Sequence, residues 1–235
     1  MTLDDVMAEL EAKGSAQTKK THLRHGAKEP LFGVKVGDLK SIVKKVKKDH
    51  ELALQLYDTG NSDAMYLAAL ISDPAKMTKA QLNKWVKAAY WHMISCCTVA
   101  WVAAESRFGR ELALEWIDSK KEQIASAGWS TYSGVLALTP DEELDHDEIV
   151  SLLERIEAGI HTAPNRVKYC MNNFIISVGT YLPTLTAKAK VTAKSIGEVT
   201  VDMGDTDCQV PDATSYIDKV ISRGSQGKKR KTVMC

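Results

Sequence analysis

The chain lacks most of the features that announce a function. No run of about 18 apolar residues occurs, so nothing in it reads as a membrane-spanning helix. The start, "MTLDDVMAEL", carries acids where a secretion signal would carry bases ahead of a hydrophobic block. A cytoplasmic protein is therefore expected. The five cysteines are odd in number and include the adjacent pair Cys96 and Cys97. None shows C-x-x-C spacing, which points away from a disulfide framework or zinc knuckle and toward reduced, structural thiols. Cys208 and Cys235 could join a histidine at a metal, but their spacing matches no ligand pattern. A P-loop, a dinucleotide fingerprint, H-E-x-x-H and G-x-S-x-G are all missing, so no cofactor or metal is expected. Strong net charge is missing too: 31 basic against 30 acidic residues leave +1, and any nucleic-acid footprint must be local.

What is present is helical periodicity. Glycine and proline total only 20 of 235 residues, and apolar residues recur at three and four positions rather than two. In "VGDLKSIVKKVKK", Val36, Leu39, Ile42, Val43 and Val46 share one helical face, while Lys40, Lys44, Lys45, Lys47 and Lys48 lie on the other. Four helices rich in small residues each carry an aromatic at a comparable place: Tyr66, Trp101, Tyr132 and Tyr169, spaced 35, 31 and 37 residues apart by subtraction of their positions. More polar segments alternate with them, "TKAQLNKWVKAAY", "GRELALEWIDSKKEQI" and "DEIVSLLERIEAG". A period of this size predicts an all-α solenoid of stacked helix pairs, each with a small apolar inner helix and a charged outer one.

The pattern extends to one more helix, "LTAKAKVTAKSIG", closing at Gly197. Residues 1–197 are thus expected to form the solenoid and residues 198–235 an irregular extension. In that extension "EVTVDMGDTDCQVPDA" reads as a short extended piece and a loop. "TSYIDKVIS" reads as a last helix capped by Thr214 or Ser215, and the basic run Lys228 to Lys231 as a solvated, mobile tail. The acidic run from Asp141 to Glu148, with His146, could hold a metal. Acids here more simply open a helix, with Asp141 to Glu143 at its N-terminal dipole. Arg107 and Arg110, beside Glu105 and Glu111, suggest a mesh of i, i+4 pairs. His22, His25, Lys19, Lys20, Arg24 and Lys28 form an early basic patch that, with the lysines at 40 to 48, permits phosphate contacts.

In "AYWHMISCCTVAWVAAES", Val99, Trp101 and Val102 read as the core of an inner helix, with Cys96 and Cys97 as small residues packed in it. Four stretches in this order and spacing, "LFGVKVGDLKSIVKKV", "LYDTGNSDAMYLAAL", "AYWHMIS" and "GWSTYSGVLAL", resemble the AlkD-type DNA alkylation repair proteins over roughly residues 30–180. The resemblance implies a HEAT-like repeat solenoid whose concave basic face holds duplex DNA, and, in active members, excision of alkylated purines. Active members carry a Trp-Trp-Asp-x-x-x-Asp-like segment and a Trp-x-x-Arg segment. Here Tyr90 and Trp91 match the aromatics, His92 the first acid, Ser95 the catalytic acid and Tyr132 the arginine. Near the C-terminal repeat, "YCMNNFIIS" brings Asn172 and Asn173 where active relatives have Lys-x-x-Gly-Trp and an arginine. Asp63 is a geometric candidate for a replacement acid, with a helix cap as its ordinary role; Glu105 lies too far along its helix.

The resemblance thus implies that Trp91, His92, Ser95 and Tyr132 line the concave centre. Lys40, Lys44, Arg166 and Lys168 are expected to touch phosphate. Duplex or damaged DNA is the expected partner, with excision weak or lost. The alternative is a helical-repeat scaffold for a protein partner.

Overall fold

The computed structural model describes residues 1–234. Among them are thirteen α-helices and no strand. They are α1 (Leu3–Lys13), α2 (Ala16–Arg24), α3 (Val36–Val46), α4 (His50–Asp58), α5 (Ser62–Ile71), α6 (Lys79–Ala88), α7 (Ala100–Glu105), α8 (Gly109–Ile117), α9 (Glu122–Leu138), α10 (His146–Gly159), α11 (Asn165–Tyr181), α12 (Thr186–Ile196) and α13 (Ala213–Ser222). A π-helical segment, Met93–Val99, runs directly into α7.

The periodicity is realised as a HEAT-like stack of helix pairs. α5, the π-helical segment with α7, α9 and α11 form a continuous inner layer, each packed on the next. Small residues make this approach possible. At Gly128 in α9 a Cβ would sit 2.5 Å from the Ile117 backbone nitrogen and 2.9 Å from the Ala113 carbonyl oxygen, so only glycine lets α9 lie this close to α8. The inner helices bury large rings beside the small residues, with Trp129, Tyr132 and Phe174 wholly enclosed. Tyr66 and Trp101, on successive inner helices, meet edge to face at 5.7 Å.

The outer helices are bound to one another by charge. Lys84 of α6 reaches Asp58 of α4, Lys79 of α6 reaches Glu111 and Glu115 of α8, Arg155 of α10 reaches Asp118, and Lys188 of α12 reaches Glu154 of α10. Arg110 of α8 is held by Asp145 and Glu148. The i, i+4 mesh expected around Arg107 and Arg110 is therefore replaced by pairs between neighbouring repeats; Arg107 instead lies over the Phe108 ring.

Several local expectations are corrected. "GRELALEWIDSKKEQI" breaks after Ile117, and α9 begins only at Glu122. Asp141 to Glu143 form a single 3-10 turn, and α10 starts at His146 with the Asp145 carboxylate accepting from the Glu148 N–H. α13 is capped by Asp212 rather than Thr214 or Ser215. The 198–211 segment contains no strand.

The largest correction is the tail, whose backbone is docked on the helix ends while the Lys228, Arg230 and Lys231 side chains stay exposed. Gly227 N–H donates to the Thr180 carbonyl at 2.8 Å and Arg230 N–H to the Ala137 carbonyl at 2.7 Å. Lys229 Nζ donates to the Leu136 carbonyl, and Thr232 Oγ1 and Val233 N–H both donate to Glu105. Val233 is buried against Ala104, Val135 and Ala137. The segment thus straps the C-terminal ends of α7, α9 and α11, supplying donors to carbonyls that a helix end leaves open.

Candidate nucleic-acid interface

The opposite, N-terminal ends of the inner helices border a cavity of about 610 Å³. Four stretches distant in sequence meet there: the end of α2 (Arg24, His25), the approach to the π-helical segment (Tyr90 to Ser95), the starts of α9 and α11 (Glu122, Arg166, Tyr169), and residues 202–209. Helix N-termini place backbone N–H groups and the positive end of the helix dipole toward the cavity, a disposition suited to phosphate.

Arg166 is the central cation. Its guanidinium carbon stacks 4.2 Å from the centre of the Tyr169 ring, and its Nε is buried without a protein partner. The cavity's acids do not neutralise it by ion pairing. Glu122 accepts from the backbone N–H of Arg166 at 2.6 Å, and Asp202 accepts from the backbone N–H of Gly204. Arg24 lies 4.0 Å from the exposed Asp205.

Trp91 forms the inner wall. It is 6% exposed, its Nε1 donates to Ser62 Oγ at 2.9 Å, and its ring meets those of His22 and His92 at 5.7 and 5.2 Å. Burial, with Arg166 and His25 nearby, pulls the His92 pKa down to about 4, so at neutral pH it offers an uncharged imidazole. Ser95 is 1% exposed and donates to the Trp91 carbonyl. Next to it, the Cys96 and Cys170 sulfurs approach to 3.6 Å, and the hydrogen bond between them lowers the Cys96 pKa while raising that of Cys170. Cys96, Cys170 and Cys208 are free thiols; Cys235 lies outside the described residues. No group of three or more metal-ligating side chains occurs among the described residues, and the acids at Asp145 and Glu148 are occupied by Arg110.

The structure therefore brings together Trp91, His92, Ser95 and Arg166 and separates the other expected residues from them. Tyr132 is corrected outright: it does not line the cavity. It sits on the core face of α9, fully buried, with its ring against Phe174 and its hydroxyl donating to Glu148. Lys40 and Lys44 are exposed on α3, and Lys168 is half-buried on α11; none of the three lines the cavity. Asp63 is not a spare acid. Its carboxylate accepts the backbone N–H groups of Phe32, Gly33 and Val34, while Asn61 caps α5. Glu105 serves the strap. Glu122 and residues 202–209 join the site without any sequence motif to mark them; Tyr169 stands out in the sequence only as a repeat aromatic, and Arg24 and His25 only as part of a basic patch.

A family model described as "DNA alkylation repair enzyme" matches residues 6–195. The chain belongs to the DNA alkylation repair enzyme family. Within it, the chain is 38% identical to uncharacterised proteins of Listeria monocytogenes and of Listeria innocua, over 95% of this chain and 99% of each of theirs. A solved structure described as "A new family of proteins related to the HEAT-like repeat DNA glycosylases with affinity for branched DNA structures" matches the whole of both chains, with a TM-score of 0.91 and 40% identity. No helix among the described residues is long and apolar enough to cross a membrane.

Proposed function

We propose that this member of the DNA alkylation repair family binds DNA through the groove at the inner-helix N-termini, without effective excision of alkylated bases. The observation that carries the reading is Arg166: a cation stacked on Tyr169 and, among the described residues, in no ion pair with a carboxylate, in a cavity bordered by helix N-termini. A guanidinium so placed is complementary to a phosphodiester. The affinity for branched DNA described for the structural relative supports the same reading and suggests junctions as a preferred form.

Loss of excision follows from the chemistry at the aligned positions. Cleaving an N-glycosidic bond builds positive charge on the sugar, which a neighbouring carboxylate stabilises. Here the position of the catalytic acid holds Ser95, buried and bonded to a backbone carbonyl. The position of the first acid holds a neutral histidine, and the arginine position holds Tyr132 in the core. Removing one such electrostatic interaction costs about 3–4 kcal/mol, or roughly 10²- to 10³-fold in rate. Glu122, the acid at the groove's edge, already accepts a backbone N–H of α11.

The test incubates the purified protein with randomly methylated duplex DNA and measures released bases by mass spectrometry, while a parallel titration follows binding. Binding without release above the spontaneous rate is the expected result. Release sensitive to Trp91→Ala would show that the chemistry survives, and an absence of binding would favour a protein-interaction scaffold.

A further inference from the structure

A second cavity, of about 660 Å³, opens between α11, α13 and the docked strap. Its lining differs in kind from that of the first. Lys228 and Arg230 face it with Asn173, Ser177, Thr180 and Tyr216, and among the described residues no carboxylate lines it. Thr180 is 9% exposed, and its Oγ1 is buried without a protein partner. Of the acids on or beside α13, Asp218 holds Lys190 and Asp212 caps the helix; Asp141 and Glu142 lie near the neighbouring Lys229.

The two cations are held in place by their backbones rather than by their charges. The hydrogen bonds from Gly227 to Thr180 and from Arg230 to Ala137 fix the strap, and the Gln226 amide donates to Thr186 Oγ1. The Lys228 and Arg230 side chains remain exposed and enter no ion pair among the described residues. A tail that needed these charges only for solubility would not require this fastening. Tyr169 lines both cavities and carries the Arg166 guanidinium on its ring, so the two cavities share a wall near the start of α11, from which the second extends toward the strap.

We propose that this cleft is a second phosphodiester-binding site, built by the docked C-terminal strap, which holds the backbone of a second DNA arm diverging from the first groove at Tyr169. The inference rests on the DNA-binding reading above and adds a site to it. Arg230 supplies the forked donors, Lys228 the point charge, and Asn173 and Tyr216 neutral donors, the set that phosphate oxygens take.

The test compares the wild type with Lys228→Gln/Arg230→Gln in anisotropy titrations of a linear duplex and a three-way junction, between about 50 and 200 mM salt. Both replaced side chains are exposed and the strap's backbone hydrogen bonds stay, so the melting temperature should be unchanged. The variant is expected to bind the junction about tenfold more weakly, with the slope of log K against log salt reduced by roughly 1.8, or ~0.9 for each phosphate that is no longer neutralised. Linear duplex binding should change by less than about twofold. The charge reversal Lys228→Glu/Arg230→Glu should enlarge the junction defect. Wild-type affinity and slope on the junction, or equal losses on both DNAs, would overturn the second site while leaving the first groove standing. A wild type that binds neither DNA would overturn the DNA-binding reading and this site with it.

Discussion

The outer helices and the groove at the inner-helix N-termini draw on the same residue types and use them in opposite ways. On the outside, Lys79, Lys84, Arg110, Arg155 and Lys188 each find carboxylates on a neighbouring repeat. In the groove the acids accept backbone N–H groups, and Arg166 is left to a tyrosine ring. A net charge of +1 thus covers two arrangements, an outer surface of paired charges and a groove in which Arg166 is not ion-paired with Glu122 or Asp202. Whole-chain charge is a poor guide to nucleic-acid binding, because it says nothing of where the charges sit or which of them are paired.

The sharpest challenge to this contrast is to put the missing acid back. Ser95→Asp places a carboxylate at a position that is 1% exposed and packed beside Cys96. We expect a loss of about 3 kcal/mol in stability by denaturant unfolding, because a buried charge without a partner is costly. No base release should be regained on methylated DNA. Stability near wild type together with release would mean that the groove is a dormant active site.

On the outer side, Arg110→Ala strips the counter-charge from Glu148, which is also the acceptor for the buried Tyr132 hydroxyl. A loss of about 1–2 kcal/mol is expected, with DNA binding unchanged. A binding defect without a stability defect would erase the distinction between the two surfaces.

A smaller effect concerns pH. The folded-state pKa of His92 lies near 4, below its ordinary value of about 6.5, so the unfolded chain binds the proton more readily. Stability from this group is full above about pH 6.5 and is lost as pH falls toward 4. Allowing for the ring's partial exposure, the loss is about 1–2 kcal/mol. His92→Gln should flatten that part of the melting-temperature profile; an unchanged profile would show that His92 is not the group responsible.

Much of the fold was legible because it rests on local pattern. The apolar faces of α3 and α12 and the small-residue inner helices are written at helical spacing, and the closing glycine of α12, Gly197, has φ +63°. The π-helical register of Met93–Val99 was not, since which carbonyl an amide reaches is settled by packing rather than by the apolar pattern. The docking of the tail was invisible for a related reason: it is fastened mainly through backbone N–H groups to helix-end carbonyls and through Glu105, which leaves no periodicity. Of the site, the resemblance singled out Trp91, His92 and Ser95, and Arg166 was expected at phosphate. Tyr132 was misplaced because alignment to an arginine says nothing about which face of α9 the residue occupies. Glu122 escaped notice, and Tyr169 stood out only as a repeat aromatic, because only tertiary structure gathers four separate stretches of chain into one groove.

The most direct measurement is the salt dependence of duplex DNA binding for the wild type, Arg166→Gln and the outer-surface variant Lys79→Gln. A steep slope for the wild type is predicted, smaller by about 0.9 with affinity reduced about tenfold in Arg166→Gln, and unchanged in Lys79→Gln. Wild-type affinity and slope in Arg166→Gln, or an equal loss in Lys79→Gln, would contradict the assignment of DNA binding to the inner groove.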